Sequence, residues 1–442
     1  MNQLIHKDVA NKGVSIVIRR RLCIALVAAL AFALAACGGG GSSSSGPVEI
    51  AVWHGYQDTE GTVFKGLIDQ YNKAHPDVKV SELYSSNDLV LQKVLTAVRG
   101  GSAPDVAYMF GSWSPNIAQI PQVVDMAGEV SSPDWKWDDF YPAEREAATV
   151  GDKIVGVPAL VDNLAIVYNK KLFADAGVAA PTANWTWDDF RAAAAKLTDP
   201  AKGQYGWLIP ADGSEDTVWH YVPMLWEAGG DILSPDNEHA VFNSEAGVQA
   251  LTTLQQMAVT DKSLYLDTTN ENGPKLMNSG KVAMLVTGPW DLSQLPDIDY
   301  GVQVMPSYAG AAGGHQTIAG PDNWVVFNNG DKKKQAAIEF VKWLTAPEQV
   351  KAFSLGTGDL PIRASVGQDQ TVLTKLNENV PGTATFVENL SNVEKVRPTV
   401  EQYPDISEAL GQAIVSVMLG KDQPAAALNS AAQAADTALA GK

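Results

Sequence analysis

Tryptophans beside glycines and prolines are the residues of this sequence whose type and position suggest chemistry. The chain has 12 tryptophans in 442 residues. Several of them stand at the ends of predicted strands or in loops, outside the apolar faces of predicted helices: Trp53, Trp113, Trp219, Trp226, Trp290 and Trp324. Sugars present C–H faces that stack on aromatic rings, and their hydroxyls need fixed polar partners. As a set these tryptophans indicate a carbohydrate site, and the alternative for any single one is an ordinary core position.

The sequence lacks the motifs of the common catalytic and metal sites. It contains no Gly-x-Ser-x-Gly, no His-Glu-x-x-His, no Walker-type glycine loop and no EF-hand spacing, and its six histidines are scattered. The acid pairs Asp138-Asp139 and Asp188-Asp189 stand at predicted helix N-termini, where they favour the helix dipole. We therefore expect no catalytic residue, no metal and no cofactor. A secreted carbohydrate-active enzyme is the alternative from another class, and two cleft carboxylates at catalytic separation would support it.

Strands and helices alternate in an order that brings strand ends to one edge of a sheet. Val48–Trp53 predicts a buried strand, Thr62–His75 an amphipathic helix and Val78–Leu83 a second strand. A helix at Leu89–Arg99 and a strand at Asp105–Phe110 continue the pattern. This pattern predicts a parallel sheet covered by helices, in which ligands meet the carboxyl ends of the strands.

A short aromatic and acidic segment occurs twice. Trp135–Phe140 and Trp185–Phe190 are near copies, and each predicts the start of a helix. In the second copy Thr186 is the expected N-cap and Asp189 completes a capping box with a short acid.

The N-terminal residues predict a lipoprotein signal. Arg19–Arg21 precede an apolar run, Leu22–Ala36, which is too short for a membrane-spanning helix. Leu34–Cys37 resembles the lipobox at which bacterial lipoprotein signals are cut, and this implies that Cys37 carries the lipid. The glycines and serines that follow predict a flexible linker. The alternative is a signal anchor or an ordinary secretory signal in which Cys37 is incidental.

Composition excludes several classes of protein. The only cysteines are Cys23 and Cys37, so the exported domain would have no disulfide framework, cysteine metal site or cysteine nucleophile. A net charge of −18 argues against nucleic acid as a partner. The length and the apolar content of 45% predict two or three well-filled domains.

Short motifs spread over most of the chain share their order and spacing with one family. The motifs are Ile50–His54, Ala103–Ala107, Gly156–Pro158, Val167–Phe173, Trp185–Phe190, Gly280–Met284, Gly288–Trp290, Phe340–Leu344 and Arg397–Pro404. Together with the lipobox they make the chain resemble the family 1 extracellular solute-binding proteins of ABC importers, which include maltodextrin- and glycerol-3-phosphate-binding proteins.

The resemblance implies an α/β fold of the two-lobed periplasmic-binding-protein class (type II, maltodextrin-binding-like), with a hinge and a ligand cleft between the lobes. The implied organisation is a signal peptide at 1–36, a lipidated linker at 37–47, lobe 1 at 48–160 and 315–352, and lobe 2 at 161–314 and 353–442. It implies a monomeric lipoprotein on the extracytoplasmic face of the membrane, which captures a mono- or oligosaccharide and delivers it to an ABC permease. The alternative ligand is a glycerol phosphodiester or a polyol. A third interpretation is a purely structural or adhesive lipoprotein, which would not need a ligand-sized cleft.

The resemblance also implies which residues bind the ligand. Trp290, which follows Gly288 in a Gly-Pro-Trp motif, matches a sugar-stacking tryptophan, and Trp219 lies where maltodextrin binders have a stacking aromatic residue. The other expected ligand-binding residues stand near predicted strand ends and in loops: His54, Tyr56, Tyr84, Phe110, Ser112, Trp113, Asp162, Asn163, Gly320, Asp322, Asn323 and Arg397.

Two of these assignments bear on the kind of ligand. The loop after Phe110 lacks the Asp-Arg pair of maltodextrin binders, which argues against a maltodextrin. Arg397 falls near the position of an arginine that binds the anionic group in the glycerol-phosphate branch, and its alternative is a structural ion pair.

Overall fold

A computed structural model describes residues 46–310 and 314–441. The described residues from Val48 onward form one compact unit. The β-strands of this unit are β1 Val48–His54, β2 Val78–Tyr84, β3 Val106–Phe110, β4 Thr149–Val150, β5 Lys153–Ile154, β6 Val157–Leu160, β7 Ala165–Asn169, β8 Tyr205–Pro210, β9 Leu264–Asp267, β10 Val282–Thr287, β11 Tyr300–Gln303 and β12 Asp322–Val326.

The helices lie between these strands and after the last one. They are α1 Asp58–Ala74, α2 Asn87–Arg99, α3 Ser114–Ala118, α4 Ala127–Val130, α5 Pro142–Ala147, α6 Lys170–Asp175, α7 Trp187–Leu197, α8 Glu215–Glu227, α9 Glu245–Gln255, α10 Gly273–Asn278, α11 Asp331–Leu344, α12 Pro347–Thr357, α13 Ala364–Gly367, α14 Gln370–Asn379, α15 Thr383–Asn389, α16 Tyr403–Met418 and α17 Pro424–Ala440. Short 3-10 helices lie at Gly111–Trp113, Pro133–Trp135, Trp137–Asp139, Pro200–Lys202, Pro289–Gln294 and Leu390–Asn392, and a π-helical segment, Gln256–Thr260, continues α9.

The first sheet has the strand order β2-β1-β3-β12-β6. Strand β1 pairs in parallel with β2 and β3, which confirms the predicted βαβαβ unit. Helix α1 covers this sheet with Phe64, Leu67 and other buried side chains. It begins at Asp58, four residues before the predicted start at Thr62, because the first turn carries no apolar side chain from which the periodicity could be read.

The strand β12 joins the first sheet from a distant part of the sequence. It pairs antiparallel with β3 and β6, and its first residue, Asp322, lies opposite Phe110, the last residue of β3. The loop that follows β3 therefore begins beside Asp322.

The second sheet has the strand order β11-β7-β10-β8-β9. Strands β8, β9 and β10 run parallel to one another, and β7 runs antiparallel to β10 and β11. All six residues of β10 are buried, as expected for a central strand with both faces covered. Helix α16 packs on α8 and α17 beside this sheet.

The chain crosses between the two sheets, and this gives the two-lobed α/β fold that the sequence predicted. Residues 161–164 lead from β6 to β7, and residues 304–321 return from β11 to β12. An isolated β-bridge between Asn163 and Ala319 joins the two crossings, and a second one joins Val161 of the first crossing to Leu360 in the loop after α12. We call the part built on the first sheet the first lobe and the part built on the second sheet the second lobe.

The two Trp-x-Trp-Asp-Asp-Phe segments fold differently. In the second, Thr186 accepts a hydrogen bond from the backbone of Asp189, whose carboxylate accepts one of 2.9 Å from the backbone of Thr186, so the predicted capping box is confirmed. In the first, the prediction of a helix start is wrong, because Lys136 adopts the left-handed conformation (φ 47°) and only a 3-10 turn forms. There the carboxylate of Asp139 accepts two hydrogen bonds of 2.8 Å from Ser365 and is not free to cap a helix.

Among the described residues, no helix combines the length and the apolar character that crossing a membrane requires. The predicted signal segment and Cys37 lie outside the described residues.

Candidate functional site

Two tryptophans of the second lobe stack on each other where β10 ends. Trp219 lies on α8 and Trp290 lies in the 3-10 helix after β10, with ring centroids 5.6 Å apart and ring planes at 26°. A Cβ atom at Gly288 would come within 1.8 Å of the Trp290 ring, so this ring position requires glycine there. Trp219 is 9% exposed, and its Nε1 has no hydrogen-bond partner in the described part of the chain. The pair therefore offers an aromatic surface with an unused N–H donor, which suits the stacking of a polar ring.

Segments that cross between the lobes lie against this tryptophan pair. The backbone N–H of Gly320 donates a hydrogen bond of 2.9 Å to the carbonyl of Asp162, which joins two crossings. A Cβ atom at Gly320 would lie 3.3 Å from Cζ2 of Trp219. A Cβ atom at Gly358 would lie 3.2 Å from the carbonyl oxygen of Pro289. The fold thus brings the predicted residues Trp219, Trp290, Gly320 and Asp162 together at the junction of the lobes.

Asp322 lies at the start of β12 in the first lobe. Its carboxylate accepts hydrogen bonds from the Tyr108 hydroxyl at 2.5 Å and from the backbone N–H of Gly111 at 3.3 Å. Burial raises the pKa of Asp322 to about 7, although the positive charge of Arg397 opposes the shift. Asp322 is therefore a buried acid that accepts hydrogen bonds from residues of its own lobe. The positive charge of Arg397, from the second lobe, favours its ionised form.

Arg397 connects the second lobe to the aromatic residues that follow β3. Its Nη1 donates a hydrogen bond of 2.7 Å to Oε1 of Glu215, and both side chains are buried. Its guanidinium carbon lies 5.7 Å from the ring centroid of Phe110, which in turn lies 4.5 Å from that of Trp113. These two aromatic residues belong to the first lobe, so Arg397 makes a contact between the lobes.

A group of three carboxyls lies beside the crossings, with Asp162 and Asp359 buried and Glu60 half-buried. Asp162 is 1% exposed, and its Oδ2 has no hydrogen-bond partner among the described residues. Burial, with the nearby charges of Asp359 and Glu60, raises the pKa of Asp162 well above its ordinary value. Burial and Asp359 likewise raise the pKa of Glu60, and burial raises that of Asp359 to about 6.

Asp291 places a further acid next to the tryptophan pair. It follows Trp290 directly, and its Oδ2 accepts a hydrogen bond of 2.7 Å from the Thr287 hydroxyl. Burial raises the pKa of Asp291 to about 7, and its charge in turn raises the pKa of Glu60. Helix α1, which carries Glu60, contacts the 3-10 helix of Trp290 and Asp291.

The sequence did not single out Glu60, Glu215, Asp291 or Asp359. Asp291 could have been found from the sequence, because it directly follows the Gly-Pro-Trp motif. Glu60 stood outside the predicted helix, and Asp359 follows α12 in a loop without an apolar pattern.

Two predicted asparagines make hydrogen bonds inside the protein. Asn163 donates a hydrogen bond of 2.9 Å to the carbonyl of Phe386 and accepts one of 2.7 Å from Asn389. Asn323 donates to the carbonyl of Ala147 at 3.3 Å. The amide NH₂ groups of both asparagines are therefore engaged by the protein itself.

The remaining predicted residues lie around the first sheet. The His54 ring centroid is 4.7 Å from that of Phe64, and burial lowers the pKa of His54 to about 4. The Tyr56 ring is buried among aromatic side chains, and the buried Ser112 hydroxyl has no hydrogen-bond partner within the described part of the chain. Tyr84, at the end of β2, is 47% exposed.

A metal centre is not evident in the described part of the chain. Within residues 46–310 and 314–441, no three His, Cys, Asp or Glu side chains come together in a way that could hold a metal ion.

Comparison with protein families gives a match over most of the compact unit. The sequence model of the family described as bacterial extracellular solute-binding protein matches residues 57–351. These residues include the first sheet except β1, the second sheet and both crossings between them.

Two relatives and one solved structure each cover 83% to 93% of the chain. An uncharacterized lipoprotein of Streptomyces antibioticus is 29% identical over 379 residues, covering 83% of this chain and 81% of the relative. The sn-glycerol-3-phosphate-binding periplasmic protein of Pectobacterium atrosepticum is 25% identical over 446 residues, covering 93% and 95% of the two chains. The crystal structure of the cyclic α-maltosyl-1,6-maltose-binding protein of Arthrobacter globiformis is 28% identical with a TM-score of 0.71, covering 90% of this chain and 100% of the other.

Proposed function

The chain belongs to the family of bacterial extracellular solute-binding proteins, and from this premise we propose that it captures a mono- or oligosaccharide between its two lobes for an ABC importer. It releases the sugar unchanged to the permease and catalyses no reaction. The division into lobe 1 at 48–160 and 315–352 and lobe 2 at 161–314 and 353–442 is part of the proposal.

The observation that carries this proposal is the Trp219–Trp290 stack at the junction of the lobes. Its ring centroids lie 5.6 Å apart, Nε1 of Trp219 has no hydrogen-bond partner among the described residues, and the carboxyl of Asp291 follows Trp290 directly. A sugar ring needs such a combination, because its C–H face stacks on aromatic carbon and its hydroxyls donate to carboxylates. The relative from Arthrobacter globiformis, whose name gives a cyclic maltosyl-maltose as ligand, supports a sugar as the ligand class.

Contacts between the lobes explain how binding would be coupled to closure. Arg397 of the second lobe lies near Phe110 and Asp322 of the first, and Gly320 lies against Trp219. A ligand that touches both lobes favours the closed state by its differential affinity for that state. The closed state would then be the form that the permease recognises.

The proposal is tested by titrating the purified domain with sugars, polyols and glycerophosphodiesters while tryptophan fluorescence and melting temperature are followed together. A ligand at 100 times its Kd stabilises the folded state by about 2.7 kcal/mol. We expect a sugar to change the emission and to raise the melting temperature, and we expect Trp290→Ala to abolish both responses. The matched control is Trp137→Ala, which removes a half-buried tryptophan packed on Phe140 of the first lobe and leaves both responses intact.

Other outcomes of the titration identify the alternatives. A response to glycerophosphodiesters alone would favour the ligand class named for the Pectobacterium relative. Recovery of a chemically altered sugar would favour the alternative that the protein is a secreted carbohydrate-active enzyme. A sugar response that survives Trp290→Ala would contradict the proposed site.

The location on the membrane is a separate part of the proposal. We propose that Cys37, which lies outside the described residues, carries a lipid that anchors the protein, as a monomer, on the extracytoplasmic face. The description of the Streptomyces relative as a lipoprotein supports this assignment. In a bacterial host, Cys37→Ser should release the protein from the membrane fraction, whereas Cys23→Ser should leave it there. Retention of both variants would contradict the lipid anchor.

A further inference from the structure

A buried histidine next to Trp219 has a hydrogen-bond acceptor at each of its two ring nitrogens. His220 lies on α8 and is 5% exposed. Its Nδ1 lies 2.8 Å from the backbone carbonyl oxygen of Asp216, one turn earlier in the helix, and its Nε2 lies 2.9 Å from that of Val286 in β10. A carbonyl oxygen can only accept, and a neutral imidazole has only one N–H to donate. The two hydrogen bonds therefore form together only when the ring is an imidazolium.

Carboxyls face this imidazole from its own helix and from the segment after β10. Oδ1 of Asp216 lies 3.4 Å from Nδ1 of His220. Asp291, in the 3-10 helix that follows β10, interacts electrostatically with the same ring. Burial raises the pKa of Asp216 and of Asp291, and the positive charge of His220 opposes both shifts. Each carboxylate in turn favours the protonated form of the ring.

The other charged groups around these acids are acids themselves or are already paired. Glu215, the neighbour of Asp216 in α8, is paired with Arg397 at 2.7 Å. Asp212, before α8, and Asp58, of α1, add negative charge. The surroundings of His220 are therefore mainly acidic, which agrees with a positively charged ring.

The hydrogen bond from His220 Nε2 joins the two segments that carry the tryptophan pair. The pairing of β10 with β8 ends at Leu285, so this bond holds α8 to β10 just beyond the paired residues. Trp219 directly precedes His220, and Trp290 follows Val286 by four residues. The bond thus lies between the bases of the two stacked side chains, whose ring centroids are 5.6 Å apart.

We propose that His220 is a positioning residue for the tryptophan pair: as an imidazolium it holds Trp219 against Trp290, and loss of its proton releases the stack. This inference rests on the proposed function and makes sugar binding by the pair depend on pH. In a neutral ring, the lone pair of one nitrogen would face a carbonyl oxygen at 2.8 or 2.9 Å. Two acceptors at this distance repel each other, so the ring would have to turn away and one of the two bonds would be lost.

Nitrogen-15 NMR of the ligand-free domain measures the protonation of this ring and needs no substitution. At about pH 7.5 an ordinary imidazole, with a pKa of about 6.5, is mainly neutral and has one unprotonated ring nitrogen. We expect the His220 signals, assigned through its backbone resonances, to show two protonated nitrogens at this pH. A neutral tautomer at pH 7.5 would overturn the proposal.

The near-ultraviolet circular dichroism of the ligand-free domain reports the stack. Raising the pH from about 7.5 to about 9.5 should weaken the signal of the stacked tryptophans reversibly in the native protein. In His220→Gln the side chain does not titrate, so the signal should not change over this range. His239→Gln is the matched control, because its side chain is 69% exposed, and it should keep the native pH dependence.

Sugar binding gives the functional measurement. Affinities for glucose, galactose, maltose and cellobiose are measured by calorimetry at the same two pH values. For each of these sugars that binds, the native protein should bind about tenfold more tightly than His220→Gln at pH 7.5, which is the effect of about one charge-assisted hydrogen bond. At pH 9.5 the ratio of the two affinities should approach one.

The contrary outcomes separate this inference from the proposed function. A dichroism signal that does not depend on pH in the native protein, or that depends on it equally in His220→Gln, would overturn the role of His220 and leave the sugar-binding function standing. If none of the sugars binds, the sugar-binding function is contradicted, and NMR and dichroism still decide whether His220 holds the stack. If His220→Gln does not fold, the NMR result on the native protein decides.

Discussion

Arg397 donates a hydrogen bond of 2.7 Å from Nη1 to Oε1 of Glu215 in an ion pair that is buried on both sides. The hydroxyls of Tyr403 and Ser407 donate to the same carboxylate. Of the two roles that the sequence left open for Arg397, this geometry favours the structural ion pair over a receptor for an anionic ligand.

Removal of the Arg397 charge should destabilise the protein strongly. In Arg397→Met, Glu215 stays buried without its cation, and breaking a buried pair in this way costs about 3–5 kcal/mol. Guanidinium unfolding of the ligand-free domain measures this loss. The control Lys65→Met breaks an exposed pair with Asp69 and should leave the free energy of unfolding nearly unchanged. Equal losses in the two variants would mean that the buried pair does not hold the second lobe together.

Gly288 should determine the position of the Trp290 ring. A Cβ atom at Gly288 would lie 1.8 Å from that ring, so Gly288→Ala should separate the stacked tryptophans. The near-ultraviolet circular dichroism of the ligand-free protein reports this stack and should change. The control Gly66→Ala has open space around the new methyl group within α1, and it should raise stability by about 0.5–1 kcal/mol without a spectral change. An unchanged spectrum in Gly288→Ala would show that the ring tolerates a side chain there.

The capping box at the start of α7 should contribute to the stability of the protein and not to ligand binding. Thr186→Ala removes the hydroxyl that accepts from Asp189, and loss of such a cap costs about 1 kcal/mol. Thr186→Ser keeps the hydroxyl and should retain most of the stability. Thermal unfolding measures both, and fluorescence titration should give wild-type ligand affinity. A drop in affinity would argue that α7 takes part in binding.

Ligand-free stability should rise as the pH falls from 8 to 6. The pKa values of Asp291 and Asp322 are about 7 and that of Asp359 is about 6 in the folded protein, against an ordinary value of 3.8. Because the folded state binds these protons more tightly than the unfolded state, protonation favours folding, and the gain is lost as the pH rises through the folded values. A melting temperature that rises by a few degrees on acidification is the expected result.

A single substitution tests the origin of this pH effect. Asp291→Asn removes one of the titrating carboxyls and should flatten the rise in melting temperature. The same change at the exposed residue Asp331 should not alter it. A melting temperature that falls between pH 8 and 6 in the native sequence would contradict the assigned direction of these shifts.

Local sequence patterns predicted much of the secondary structure. The strands β1 and β3 and the helix α2 were found because their apolar residues recur at the period of one element, which depends on neighbouring residues alone. The capping box at Thr186 was predictable for the same reason. The 3-10 turn of the similar segment Trp135–Phe140 was not predictable in this way. Its acid Asp139 accepts a hydrogen bond from Ser365, which lies more than two hundred residues away in the chain.

The sequence by itself determined which residue types were available for the site. Gly288 and Trp290 stand two residues apart, so their contact is nearly local, and the tryptophans could be recognised by type. Only the tertiary structure decided that Glu60, Asp162, Asp291 and Asp359 converge, since they come from α1, the first crossing, the turn after β10 and the loop after α12. It also decided that the Asn163 amide hydrogen-bonds to Asn389 and that Arg397 pairs with Glu215. The physical reason is that the packing of distant segments sets the direction of a polar side chain and the charge around it, whereas periodicity and turn chemistry act within a few residues.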